Sequence, residues 1–135
     1  MYTSETIVRV RYSETDQMGY VYYGNYAAYF EVARVESLRQ LGMTYKELEG
    51  MGVMMPVLEI HSYFIAPARY DDKLTIRTTI HEKPGVRIRF NYEIVNEQGD
   101  MIHRGETLLA FINMSTGRPC KPPKAFDKVL EPFFE

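Results

Sequence analysis

The sequence predicts an α+β domain in which one long central helix is wrapped by a curved antiparallel sheet, in the order strand, helix, four strands. Three observations carry this reading. Apolar residues alternate with period two near the N-terminus, a run free of glycine and proline follows from Tyr26 to Leu41, and period two returns in the rest of the chain.

The first strand is read over Ile7 to Tyr12, where Val8, Val10 and Tyr12 alternate with Arg9 and Arg11. Ser13 to Gly19 is rich in residues that bend a backbone, Asn25 stands where an N-cap is useful, and Gly42 stands where a C-terminal cap often falls. Between them lies a helix of about four turns. Ala27, Phe30, Leu38 and Leu41 project to one side of it and Ala28, Val32 and Val35 to another, so the helix wants cover over most of its circumference. Glu31 and Arg34, three apart, are spaced to pair on its surface.

A glycine- and methionine-rich connection, Gly50 to Met55, leads into strands over Val57–Ile65, Lys73–His81, Val86–Val95 and Met101–Met114, read as an antiparallel meander. Leu74, Ile76, Thr78 and Ile80 share one face of their strand, and Val86, Ile88, Phe90, Tyr92 and Ile94 share one face of the next. Ala66-Pro67, Lys83-Pro84-Gly85, Asn96 to Asp100 and Thr116 to Pro119 punctuate them. Residues 121–135 form a tail with a short helix around Phe126 to Leu130, bounded by Pro122, Pro123 and Pro132. A single sheet curled on a helix leaves edges that a second subunit can continue, so a homo-oligomer is expected.

Composition narrows the function. The chain has 135 residues, 45% apolar and 25% charged, enough for a single domain over residues 1–135 with a core that needs no disulfide. A net charge of −2 gives no bulk attraction for nucleic acid. Cys120 is the only cysteine, which excludes an intramolecular disulfide and a four-cysteine zinc site and points to an inert thiol. The N-terminus has no basic cluster followed by an apolar run, and no stretch approaches the roughly 20 apolar residues of a membrane span, so a cytoplasmic protein without membrane insertion is expected. Serine-elbow, dinucleotide and phosphate-loop signatures are missing, and His61, His81 and His103 lie on three different strands, so neither a metal nor another cofactor is expected. What remains is carboxylate chemistry.

The distinctive segment is Tyr12-Ser13-Glu14-Thr15-Asp16-Gln17-Met18-Gly19-Tyr20-Val21-Tyr22-Tyr23-Gly24-Asn25-Tyr26. By itself Asp16 fits a turn aspartate bonded to nearby N–H groups, and the tyrosines fit core or interface aromatics. Together with Glu31-Val32-Ala33-Arg34 and Pro67-Ala68-Arg69-Tyr70-Asp71-Asp72, in this order, the segment resembles the hotdog-fold acyl-CoA thioesterases of the 4-hydroxybenzoyl-CoA thioesterase and YbgC-like branch. The resemblance runs from about Ile7 to Pro119.

The resemblance implies that Asp16 is the catalytic carboxylate, as general base on water or as nucleophile on the thioester carbonyl. It implies that the Tyr23 backbone N–H stabilises the oxyanion, with Gly24 next, and that Tyr22, Gly24 and Asn25 contact substrate. Many YbgC-like members carry histidine where this chain has Tyr23, so an imidazole is not available at that position and a backbone donor is. The implied substrate is an acyl-CoA thioester, the implied assembly a dimer or tetramer with sites at subunit interfaces. For the coenzyme A phosphates, Arg87 and Arg89, with Arg77, share polar strand faces. A solvated outer face accounts for the same pattern, as it does for Glu59, His61 and Tyr63. Other readings of the fold are an acyl-CoA or lipid-binding protein without turnover, a thioesterase acting on acyl carrier protein, and a hydratase, which lacks a helix or loop histidine to partner a carboxylate.

Overall fold

The computed structural model describes residues 1–135. A five-stranded antiparallel sheet runs in the order β1 (Tyr2–Arg9), β4 (Lys73–Ile80), β5 (Arg87–Val95), β6 (Met101–Ala110), β3 (Val57–Phe64), and α1 (Asn25–Leu41) lies against its inner face. The inner-facing residues are the alternate apolar sets expected, except Val86, which is exposed and precedes its strand: Leu74, Ile76, Thr78 and Ile80 on β4 and Ile88, Phe90, Tyr92 and Ile94 on β5 are all buried. Phe30 of α1 lies flat on Tyr92, with ring centroids 4.3 Å apart, and anchors the helix on the sheet. The helix ends at Gly42, whose φ of 99° is the left-handed cap that glycine adopts without strain.

Several expectations are corrected. The first strand spans Tyr2–Arg9 rather than Ile7–Tyr12. Its inward positions begin with Tyr2 and Ser4, a pattern too polar to read as a strand, while Tyr12 opens a 3-10 turn, Tyr12–Glu14, and is exposed. The last four long strands are not one meander: β4, β5 and β6 are, but β3 pairs with β6 at the far edge of the sheet and not with β4. Strand alternation specifies faces and leaves neighbours unspecified. The expected strand Met101–Met114 ends at Ala110, and Ile112–Asn113 (β7) pairs instead with Val53–Met54 (β2).

Asn25 is the first helical residue and not the N-cap, which is Gly24. Nor is the helix surrounded within the protomer: Tyr26, Tyr29, Phe30, Ala33, Arg34, Ser37 and Leu38 are buried, while Ala27, Ala28, Glu31 and Val32 are exposed. Glu31 and Arg34 do not pair. Arg34 turns inward, is 9% exposed, and donates from Nε to the Tyr45 hydroxyl at 3.2 Å. Tyr45 belongs to a short helix, α2 (Tyr45–Gly50), that alternation did not reveal, although Thr44 caps it by accepting the Glu47 N–H and the pair spells a capping box. The tail helix is α3 (Lys124–Leu130), held by the fully buried Phe126 and Leu130.

Candidate active site

Asp16 sits in a tight loop closed by the bridge between Thr15 and Val21. Its N–H donates to the Tyr20 carbonyl at 2.8 Å, and the Gly19 N–H donates to the Asp16 carbonyl at 3.0 Å. Gly19 has φ 79°, a conformation the turn requires and a side chain resists. Oδ1 of Asp16 accepts the N–H groups of Met18 at 2.9 Å and Tyr20 at 3.3 Å, which fixes the carboxylate and leaves Oδ2 for a ligand. The loop is docked on the second motif. Val21 N–H donates to the Ala68 carbonyl at 2.8 Å, Tyr20 bridges Arg69, and the Arg69 guanidinium lies 5.0 Å from the Tyr20 ring centroid. Asp72 holds that turn by accepting the Arg69 N–H at 2.8 Å, and the Asp72 carbonyl accepts the Val10 N–H at the end of β1. Two segments about fifty residues apart are thereby built into one wall.

The chain then enters α1. Tyr22 N–H donates to the Glu14 carbonyl at 2.8 Å and Asn25 N–H to the Tyr22 carbonyl at 2.9 Å, whereas the N–H groups of Tyr23 and Gly24 have no acceptor in the protomer. Both lie at the helix N-terminus, where the aligned peptide dipoles favour negative charge. The Tyr22 and Tyr23 rings pack together with centroids 4.6 Å apart. Asn25 does not cap the helix; its Nδ2 donates to the Glu14 carbonyl at 2.7 Å.

Asp16 lines two cavities. One, of about 660 Å³, is polar and is shared with Tyr12, Ser13, Thr15, Gln17, Tyr22 and Asn25. The other, of about 320 Å³, is mostly apolar and is shared with residues including Met18, Tyr20, Tyr23, Tyr26, Phe64 and Ile65. Behind the apolar one lies His103, fully buried, its ring stacked on Tyr26 and edge-on to Phe64. His103 Nε2 meets Ser62 Oγ at 3.0 Å while Nδ1 has no partner, and burial lowers the imidazole pKa to about 4. Alternation on the last strand gave no hint that this histidine is core.

Of the residues expected at the site, Asp16 shares the polar cavity with Tyr22 and Asn25 and the apolar one with Tyr23, while Gly24 lines neither. Arg87 and Arg89 do not join them in the protomer: they project from the outer sheet face into a separate cleft of about 420 Å³ with His81, Lys83 and Asn91. Arg89 is paired with Glu106 at 3.3 Å and Arg77 with Glu5 at 3.5 Å, as a solvated face arranges its charges. Met18, Tyr20, Tyr26, Phe64 and the carboxylate of Glu14 were not anticipated. The aromatic spacing of Tyr26 and Tyr29 was the available signal for the helix side. No three His, Cys, Asp and Glu side chains are grouped to hold a metal ion.

Known proteins agree with this architecture. Residues 10–130 match the family described as the thioesterase-like superfamily. The chain is 32% identical over 126 residues to the "Putative acyl-CoA thioesterase YneP" of Bacillus subtilis, covering 93% of this chain and 91% of that one. It is 34% identical over 118 residues to the "Acyl-CoA thioester hydrolase YbgC" of Escherichia coli, covering 87% and 88%. Among solved structures, a DHNA-CoA thioesterase from Staphylococcus aureus superimposes with a TM-score of 0.90 at 34% identity, over 98% of this chain and 89% of that one. The chain therefore belongs to the thioesterase-like superfamily and is a hotdog-fold thioester hydrolase.

Proposed function

We propose that this protein hydrolyses acyl-CoA thioesters of small, medium or aromatic acyl groups, with Asp16 as the reacting carboxylate. The observation that carries the reading is the position of Asp16 between a polar and an apolar cavity, in the loop that leads to the unpaired N–H groups of Tyr23 and Gly24. The acyl group occupies the apolar cavity and the thioester carbonyl faces the helix N-terminus. Asp16 takes a proton from water, the water oxygen bonds to the carbonyl carbon, and the oxyanion is held by the Tyr23 N–H with Gly24 next. Collapse breaks the C–S bond and coenzyme A leaves as thiolate. In the alternative order, Asp16 itself attacks, a mixed anhydride replaces the thioester, and water then cleaves the anhydride.

The working unit is proposed to be a homo-oligomer, a dimer or tetramer, in the cytoplasm. β3 is an edge strand, and Val57, Leu58, Ile60, Phe64 and Ile65 along it are exposed, as are Ala27, Ala28 and Val32 of α1. Such an edge is open to pairing with the same strand of a second copy. Because Phe64 and Ile65 also line the apolar cavity, a copy seated there closes the site. A reducing compartment suits a chain with one cysteine. No helix is long and apolar enough to cross a membrane. The cleft with Arg87, Arg89, His81 and Lys83 is proposed for the coenzyme A phosphates, reached across the subunit interface.

The test is thiol release from a panel of aliphatic and aromatic acyl-CoA esters. Turnover of at least one ester supports the reading. Tight acyl-CoA binding with no thiol over long incubation overturns it in favour of a binding protein.

A further inference from the structure

Glu14 occupies a place that no part of the proposed reaction uses, two residues before Asp16. Its side chain is only 14% exposed. Oε1 accepts the Tyr29 hydroxyl at 2.9 Å and the Arg11 N–H at 2.8 Å, while Arg11 Nε stands 3.7 Å from Oε2. Its carbonyl accepts the Tyr22 N–H at 2.8 Å and Asn25 Nδ2 at 2.7 Å. The residue is thus bonded through its side chain to the first turns of α1 and through its backbone to both residues that flank Tyr23 and Gly24. Burial and the hydrogen bond to Glu14 push the Tyr29 phenol well above its ordinary pKa, so it stays a donor.

We infer that Glu14 is a positioning residue: a strut that fixes the Asp16 loop relative to the Tyr23–Gly24 N–H groups, so that the reacting carboxylate and the oxyanion donors keep one separation. The inference rests on the proposed roles of Asp16 and of those N–H groups. The carbonyl of Glu14 holds Tyr22 and Asn25 while the side chain, together with the Glu14 N–H that donates to the Arg11 carbonyl at 2.9 Å, pins the residue from the other side. Without the side chain, Glu14 keeps its backbone bonds to Tyr22 and Asn25 but loses the anchor on Tyr29 that sets where its carbonyl lies. A displacement of about an ångström between reacting groups costs up to a hundredfold in rate. Acceptance, not charge, is what the strut supplies, because both side-chain bonds end on one oxygen that an amide also offers.

The test compares Glu14→Ala, Glu14→Gln and Tyr29→Phe with wild type on whichever acyl-CoA ester the enzyme turns over. Glu14→Ala is expected to lower kcat by about ten- to a hundredfold with KM held, and Glu14→Gln to restore it. Tyr29→Phe removes one bond, leaves the fold, and is expected to lower kcat about fivefold, which decides the matter should Glu14→Ala fail to fold. The hydrogen exchange of the Tyr22 amide, which donates to Glu14, is expected to quicken in Glu14→Ala and in Tyr29→Phe. Wild-type kcat in both of those variants, a Glu14→Gln as slow as Glu14→Ala, or unchanged Tyr22 exchange would overturn the strut. Asp16→Asn, measured alongside, separates this from the underlying reading: full activity there defeats the role of Asp16, while Tyr22 exchange still tests the strut without any turnover.

Discussion

Tyr26 and His103 lie face to face, ring centroids 3.9 Å apart and planes inclined by only 3°. The stack joins the first turn of α1 to the inner face of β6, directly behind the apolar cavity beside Asp16. Shut away from the protein surface, the imidazole is held neutral, its pKa lowered from 6.5 to about 4 by burial.

That burial makes stability depend on pH in a definite direction. Between about pH 6.5 and 4 the unfolded chain binds a proton at this position and the folded chain does not, so stability falls as pH falls through that window. The slope from this group is at most about 1.4 kcal/mol per pH unit. Chemical denaturation of wild type and His103→Phe at pH 7.5, 6, 5 and 4.5 checks it. The variant should lose less stability on acidification than wild type, and parallel curves would remove the buried histidine from the account.

Gly105 is where the sheet lets the helix approach. A Cβ there would stand 2.5 Å from the Phe30 ring and 2.5 Å from the His61 carbonyl oxygen, the latter on backbone that cannot turn aside. Gly105→Ala is therefore expected to destabilise the fold by about 1–3 kcal/mol, read as a lower midpoint in thermal or urea unfolding. A midpoint equal to wild type would mean that α1 does not press on β6 as described.

How far the sequence carried follows from which interactions are local. The inner faces of β4 and β5 and the span of α1 were legible because each is written in its own period, whereas Asp16 and Tyr23 were singled out only by the resemblance of their motif to a family. The place of β3 beside β6 was not, since alternation is silent on which strands are neighbours. Arg34 was expected beside Glu31 on the surface, yet its contact is Tyr45, on a helix the strand-minded pattern passed over. Glu14 and His103 stayed hidden because their partners, Tyr29 and Tyr26, reach them only once α1 has docked.

The β3 edge tests the assembly. Ile60 is 46% exposed, lies outside the cavity walls at Asp16, and belongs to the edge strand β3. Ile60→Lys should shift the mass seen by sedimentation equilibrium toward the monomer and lower kcat/KM with it, because a charge on an edge strand opposes pairing. A monomeric wild type, or a variant that keeps the wild-type mass, would contradict oligomerisation through this edge.

The measurement that bears most directly on the central claim is thiol release by Asp16→Asn beside wild type, on an acyl-CoA ester that wild type hydrolyses. The amide keeps an oxygen to accept the Met18 and Tyr20 N–H groups, so the loop is retained while the base or nucleophile is lost. A fall in kcat of at least about a hundredfold, with the melting temperature and acyl-CoA binding kept, is the predicted result. Equal rates for the two proteins would show that the carboxylate of Asp16 does not carry the reaction.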